Sequence, residues 1–322
     1  MDFCTRFLGL ELDGPLILGA SPLAADLDAA RRAQDAGASA IVMSSLFEEQ
    51  APGARSSGFY PADRAQFDFG PVEYLEQLRR LKAALRIPVI GSLNGTTNGG
   101  WLKFAAQMDQ AGADALELNI YRVNTDFERS ASSLEDEAVE MLRQVVAQTS
   151  IPVAVKLSPY YTSLPHFAAR LIDAGAQGLV LFNRFYQPDI DTTRREVAPE
   201  ISYSTSLELS LRLRWLAILS AKLEASLSVT GGVHNADDAL KAVLTGADTV
   251  QLVSEILQHG FVRFSKIRSQ MSEWLLQRGY HSLAQVRDTL NLAHSPSPFE
   301  FERANYLHVL HSYPNVREWG VR

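Results

Sequence analysis

Lys156 poses the sharpest chemical question in the chain. It follows the apolar run Pro152-Val153-Ala154-Val155, and a buried ammonium is unfavourable unless an anion or acceptor meets it. Two partners would satisfy it: a structural carboxylate such as Glu117, or a bound cofactor or anion. A second group is Asn119, Asn124 and Asn183. The first two bracket Tyr121-Arg122 in LELNIYRVN (116–124), and the third ends GLVLFN (178–183). Asparagine donates and accepts without carrying charge, which suits reading a flat heterocycle rich in nitrogen and oxygen. A third group is the turn TGGVHNADDAL (230–240). Gly231 and Gly232 let backbone approach a ligand closely, and the helix that follows offers free N–H groups to a phosphate. Val253 and Ser254, which close QLVS, would extend that cradle. His234 lies in the same turn, where a solvated loop histidine is the plainer reading and a catalytic one the bolder. The histidines form no HExxH pattern and no paired carboxylates accompany them, so no metal site is expected.

These residues fall at the ends of repeated units. QDAGASAIVMSS (34–45), DQAGADALELNI (109–120), IDAGAQGLVLFN (172–183) and LTGADTVQLVS (244–254) each pass from a helix end, through a glycine, into an apolar run. A glycine there suits the left-handed residue that ends a helix. IPVIGSLN (87–94) and IPVAVKLSP (151–159) open with proline, where a missing N–H does least harm to a strand. PLILGAS (15–21) and SLSVTGG (226–232) bring the apolar runs to eight. Continuous apolar strands alternating with helical stretches predict a single-domain (β/α)₈ TIM barrel. An open doubly wound sheet would show GxGxxG after its first strand, and GASPLAAD (19–26) is not that motif. The strand ends then gather Ala20, Ser21, Ser44, Ser45, Ser92, Asn94, Asn119, Lys156, Asn183, Gly231, Gly232, Val253 and Ser254 at one mouth. Residues 46–70 and 184–205 leave that mouth and are candidate lids. Residues 1–290 form the barrel on this reading, and 291–322 an extension packing on the barrel or on a partner subunit.

Composition narrows the chemistry further. A net charge of −7, with no long basic run, argues against nucleic acid and anionic membranes. No apolar run reaches the roughly 18 residues of a membrane span. The opening MDFCTRFLGL lacks a basic segment followed by an apolar one, so no signal peptide is expected. Its continuation through Ala20 reads as a short hairpin that plugs the bottom of the barrel. Cys4 is the sole cysteine, which excludes an internal disulfide and suits a reducing, cytoplasmic setting.

With these residues in place, the sequence resembles the soluble, class 1 dihydroorotate dehydrogenases and related flavin domains. The likeness rests on LGAS at the first strand, SS at the second, ELN with a further asparagine five positions on, VKLSPY, LFN, TGG before ADDAL, and GADTVQLVSEIL. It implies FMN held at the top of a (β/α)₈ barrel. By that likeness Ala20, Ser21, Ser44 and Asn119 line the flavin, and Lys156 faces its pyrimidine edge. Gly231, Gly232, Val253 and Ser254 hold the phosphate, and Ser204 in ISYSTS replaces a glycine-rich contact. Asn119, Asn124 and Asn183 grip a small, pyrimidine-like substrate. The family also implies a homodimer, in some members with a separate electron-transfer subunit.

Three positions depart from the family pattern. Where a Cys or Ser base is implied stands Arg122, and a guanidinium has no lone pair with which to take a proton. Met43 replaces a flavin-side lysine, and SSGFYPADRAQFDFG (56–70) carries no asparagine where an asparagine-rich substrate loop is implied. Several readings stay open. One is an FMN oxidoreductase acting on CH–CH donors with an altered substrate or proton donor; Tyr121, Tyr160 or Tyr161 would then donate, and Arg122 would grip a carboxylate or phosphate. Another is a dihydroorotate dehydrogenase of pyrimidine biosynthesis that draws its base from Ser56, Ser57 or Thr125. A third is an FMN-binding protein without turnover, and the last a barrel for a phosphorylated sugar or nucleotide. The chain carries neither a dinucleotide fingerprint nor a cysteine-rich cluster motif. Electrons therefore leave to a small acceptor or a partner protein.

Overall fold

A computed structural model of the chain describes residues 1–50, 70–95, 102–184, 188–198 and 202–301. Eight parallel strands run β1 (Leu16–Leu18), β2 (Ile41–Val42), β3 (Val89–Asn94), β4 (Ala115–Asn119), β5 (Val153–Leu157), β6 (Gly178–Leu181), β7 (Ser226–Thr230) and β8 (Thr249–Leu252). Each pairs with the next, and β8 pairs back to β1, so the expected (β/α)₈ barrel is closed. Helices such as Leu27–Asp35, Pro71–Ala84, Leu164–Asp173 and Ala236–Leu244 cover its outside. Sequence sets their bounds. Asp26 caps the first of these by accepting from the Ala29 N–H at 2.7 Å. The glycines at 37, 112, 175 and 246 follow helix ends with φ between 92° and 116°, as their place in the repeat predicts.

The inward positions of a strand lie two residues apart, and they change character along the barrel axis. At the bottom, Ile17, Val42, Ile90, Ala115, Ala154 and Val180 form an apolar layer. One step up the same faces stand Ser92, Glu117, Lys156 and Gln251, all buried. Below the apolar layer sits a hairpin of Thr5–Phe7 and Leu10–Leu12, and its Phe7, Leu8 and Leu12 join that cluster. The Leu8 N–H donates to Ser226 Oγ at 2.9 Å and Thr5 Oγ1 to the Asp248 carbonyl at 3.0 Å, at the beginnings of β7 and β8. The barrel bottom is thus plugged as the N-terminal sequence predicts.

β2 is short, and a side chain repairs the gap it leaves. β3 pairs with β2 as far as Ile90 and with Leu46 from Leu93 onward. Between them, the Ser92 N–H donates to Tyr74 Oη at 3.0 Å, and that hydroxyl donates to the Ser92 carbonyl at 3.3 Å. A buried backbone pair left without such a partner would be costly. Burial holds the Tyr74 phenol well above its ordinary pKa.

Of the candidate lids, residues 51–69 lie outside the described residues, Ser56 and Ser57 among them. The second holds an antiparallel hairpin, Asp189–Asp191 with Glu196–Ala198. Past the last long helix, Val262–Gln277, the tail docks on the barrel's outer helices. The Leu290 N–H donates to the Leu244 carbonyl at 2.8 Å, and the Leu292 N–H to that of Ala217 at 2.9 Å.

Candidate active site

The polar layer in the upper barrel is one connected unit. Lys156 Nζ donates to Glu117 Oε1 at 3.1 Å, and Gln251 Nε2 donates to Glu117 Oε2 at 2.7 Å. Three strands meet there, and every member is buried. Of the two partners the sequence offers Lys156, the structural carboxylate Glu117 is the one in place. Glu117 takes one of three ammonium donors, and Lys156 also lines a cavity of about 180 Å³ at the strand ends. Gln251 lines the same cavity, and its Oε1 is buried without a partner among the described residues.

The twin glycines stand at one end of this cavity, and packing explains both. Gly231 and Gly232 have φ of 78° and 82°. A Cβ on Gly232 would lie 2.6 Å from the Leu209 backbone nitrogen, where the helix Leu209–Ser220 begins. A Cβ on Gly231 would lie 2.8 Å from an Arg212 terminal nitrogen. Arg212 is buried; it donates to the Thr230 carbonyl at 2.5 Å and to that of Glu208 at 2.7 Å. Burial lowers its pKa from the ordinary guanidinium value. The turn is therefore held by a cation from behind while Gly231 faces the cavity.

Seven of the sequence candidates line that cavity together: Ala20, Lys156, Asn183, Ser204, Gly231, Val253 and Ser254. Asn119 adjoins them, accepting from Asn183 Nδ2 at 2.7 Å. Ser21, Ser44 and Gly232 are not part of its lining. Asn124 stands apart: it is exposed, and its amide donates to the Asp126 carbonyl at 2.8 Å. Arg122 and Tyr121 are half-buried beside the same loop, outside the lining. Arg122 donates to Glu137 Oε2 at 2.9 Å, and Arg129 pairs with the other oxygen of that carboxylate. The bond from Arg122 holds the Glu137 carboxyl below its usual range. Arg122 thus has a structural anion on the helix Ala131–Val146. Of the candidate tyrosine acids, Tyr160 is exposed and Tyr161 packs on Phe167 with ring centroids 4.4 Å apart. Burial pushes the Tyr161 phenol up to about 12, which makes it a poorer acid than a free phenol.

Gln251 and Arg212 were missing from the sequence candidates. Gln251 interrupts an apolar strand in the way Lys156 does, and the same argument would have found it. Arg212 had no such mark: it alternates with leucines in the run LSLRLRW (209–215), and nothing there separates buried Arg212 from exposed Arg214. The solvated reading of His234 is overturned: its ring is mostly buried, with Nδ1 at 3.2 Å from Glu255 and Nε2 at 3.1 Å from Ser204 Oγ.

Comparison with known proteins agrees with this architecture. The family model described as dihydroorotate dehydrogenase matches residues 68–275. The catalytic subunit of dihydroorotate dehydrogenase B (NAD(+)) from Methanocaldococcus jannaschii is 24% identical over 287 residues, which cover 84% of this chain and 92% of that protein. Its counterpart from Geobacter sp. (strain M21) is 30% identical over 227 residues, 68% of this chain and 73% of that protein. The NAD-dependent dihydropyrimidine dehydrogenase subunit PreA of Escherichia coli (strain K12) is 23% identical over 315 residues, 88% and 76% respectively. With a family match over well more than half of its length and a closed barrel to carry it, the chain belongs to the dihydroorotate dehydrogenase family of oxidoreductases.

Proposed function

We propose that this chain is an FMN-dependent oxidoreductase acting on a CH–CH donor, with a substrate or proton donor that differs from that of dihydroorotate dehydrogenases. The observation that carries the reading is the convergence of Ala20, Lys156, Asn183, Gly231, Val253 and Ser254 on one cavity at the barrel mouth. Two features of that cavity suit the cofactor. Oε1 of Gln251, without a partner among the described residues, is an acceptor, and the pyrimidine part of an isoalloxazine carries an N–H. Gly231 and Ser254, with Arg212 behind the turn, suit a phosphate. Bound FMN would supply the capacity to accept a hydride from a carbon donor.

The residues of the chain would divide the remaining work. Lys156 would place positive charge where negative charge develops on reduction. Glu117 would hold that ammonium in place and keep its other donors pointing to the ligand. Asn183, fixed by Asn119, would orient a planar polar substrate. Arg122 cannot abstract a proton, and Glu137 already neutralises it. The proton must leave through another group or to water. The relatives named above are subunits by description; we extend to this chain a separate electron-transfer partner and a homodimer.

Anaerobic mixing of the FMN-loaded protein with dihydroorotate tests the altered chemistry. The reading expects little bleaching in the wild type and measurable bleaching in Arg122→Cys, where a thiol stands in place of the guanidinium. Prompt bleaching in the wild type would instead favour a dihydroorotate dehydrogenase with a relocated base. Loss of Arg122 leaves Glu137 paired with Arg129, so the variant should fold.

A further inference from the structure

We propose that Ser204, His234 and Glu255 form a proton-coupled anchor for the phosphate group of the bound ligand. This rests on the flavin reading for the identity of the ligand. Ser204 is buried and lines the cavity beside Gly231 and Ser254. Its Oγ is 3.1 Å from His234 Nε2, and His234 Nδ1 is 3.2 Å from Glu255 Oε2. Glu255 is itself buried.

The protonation of His234 decides what Ser204 offers the cavity. Glu255 fixes the Nδ1 proton on the imidazole. In the neutral ring Nε2 is then a lone pair, and it takes the Ser204 hydroxyl proton. Ser204 presents only oxygen lone pairs to the cavity in that state, which repel a phosphate. When the ring gains a second proton, Nε2–H donates to Ser204 Oγ. The hydroxyl proton is then free to point into the cavity and donate to a phosphate oxygen. One proton, taken from solvent, converts the wall from acceptor to donor and adds a positive charge behind it.

The surrounding charges are compatible with that proton. Glu255 also pairs with Arg263 and lies 3.8 Å from His259 Nε2. A second carboxylate, Asp238, accepts from the His234 backbone N–H at 3.0 Å and from Ser206 Oγ at 2.6 Å. Arg263 donates to the His234 carbonyl at 2.9 Å. On the Ser204 side, Arg184 and Glu208 pair at 3.4 Å. The same three residues would suit a nucleophilic serine. However, the Ser204 N–H is already given to Ser254 Oγ at 3.2 Å, so it is not available to an oxyanion. The geometry favours binding over acyl transfer.

The test compares FMN with riboflavin, which lacks the phosphate, by flavin fluorescence quenching on the full chain. Titrations run from about pH 7 to about 8.5, where a phosphate monoester is already close to its dianion. The preference for FMN over riboflavin should fall with rising pH, by up to about tenfold per pH unit. His234→Gln keeps a hydrogen-bonding side chain but cannot take the proton, and should flatten that dependence; Ser204→Ala should lower the preference throughout. An identical pH dependence in wild type and His234→Gln overturns the anchor and leaves the flavin reading standing, as does equal affinity for the two flavins. Binding of neither flavin removes the flavin reading, and inorganic phosphate alone then decides. At fixed pH it should move the His234 ring nitrogens towards the doubly protonated form in ¹⁵N-histidine NMR spectra. Unmoved signals would overturn the anchor.

Discussion

A buried lysine beside a buried glutamate survives as a pair and not as halves. Lys156→Met would leave Glu117 charged in the barrel with Gln251 alone to meet it among the described residues. The expected cost is about 3–5 kcal/mol in urea unfolding. Lys156→Met with Glu117→Gln removes both charges and should regain most of that stability, yet still bind FMN weakly. Recovery of binding along with stability would assign Lys156 a purely structural role. At this scale the sequence was informative where a residue contradicted its surroundings. Lys156 in an apolar strand declared itself, and Gln251 offered the same signal. Asn124 did not behave as its spacing implied, because spacing in a loop does not fix direction: its amide is spent on the Asp126 carbonyl. His234 was misjudged because its burial comes from Glu255 and Ser204, 21 and 30 residues away in the chain, and no local pattern announces them.

Turns and strand gaps position the site. Gly232 and Gly37 both have positive φ, but their surroundings differ. A Cβ at Gly37 meets nothing within 4 Å, whereas one at Gly232 meets the Leu209 backbone. Gly37→Ala should cost only the backbone preference, about 1–2 kcal/mol. Gly232→Ala should cost clearly more and also weaken FMN binding, because the turn must move. Equal thermal shifts for the two would show that the Leu209 contact is not rigid. Tyr74→Phe should destabilise by about 1–3 kcal/mol through the abandoned Ser92 backbone groups, measured by chemical denaturation. The barrel and its repeat were legible because each unit restates the same helix, glycine and strand grammar. The Tyr74 repair was not, because it answers a defect in pairing that appears only when β2 proves to be two residues long.

Across the whole molecule, stability responds to pH through a group far from the cavity. Asp248 accepts from the Leu227 N–H at 2.7 Å and pairs with Arg287 at 2.8 Å. Burial nevertheless outweighs the guanidinium and pushes its carboxyl up to about 6 from an ordinary 3.8. A raised carboxyl pKa means that the folded state prefers the protonated form. The stability this contributes is present below the unfolded value and is lost as pH rises through about 6. Relative to Asp248→Asn, the wild type should therefore lose stability between about pH 4 and 6, by at most about 3 kcal/mol. A difference that stays constant over that window would mean that Arg287 fully compensates the burial. No helix among the described residues is long and apolar enough to cross a membrane. The central claim concerns the mouth of the barrel and can be read directly. The purified chain is incubated with FMN, passed through a desalting column, and its visible absorption spectrum recorded. The account predicts one flavin retained per chain, with bands shifted from those of the free cofactor and retention lost in Lys156→Met/Glu117→Gln. A colourless protein after desalting would contradict it.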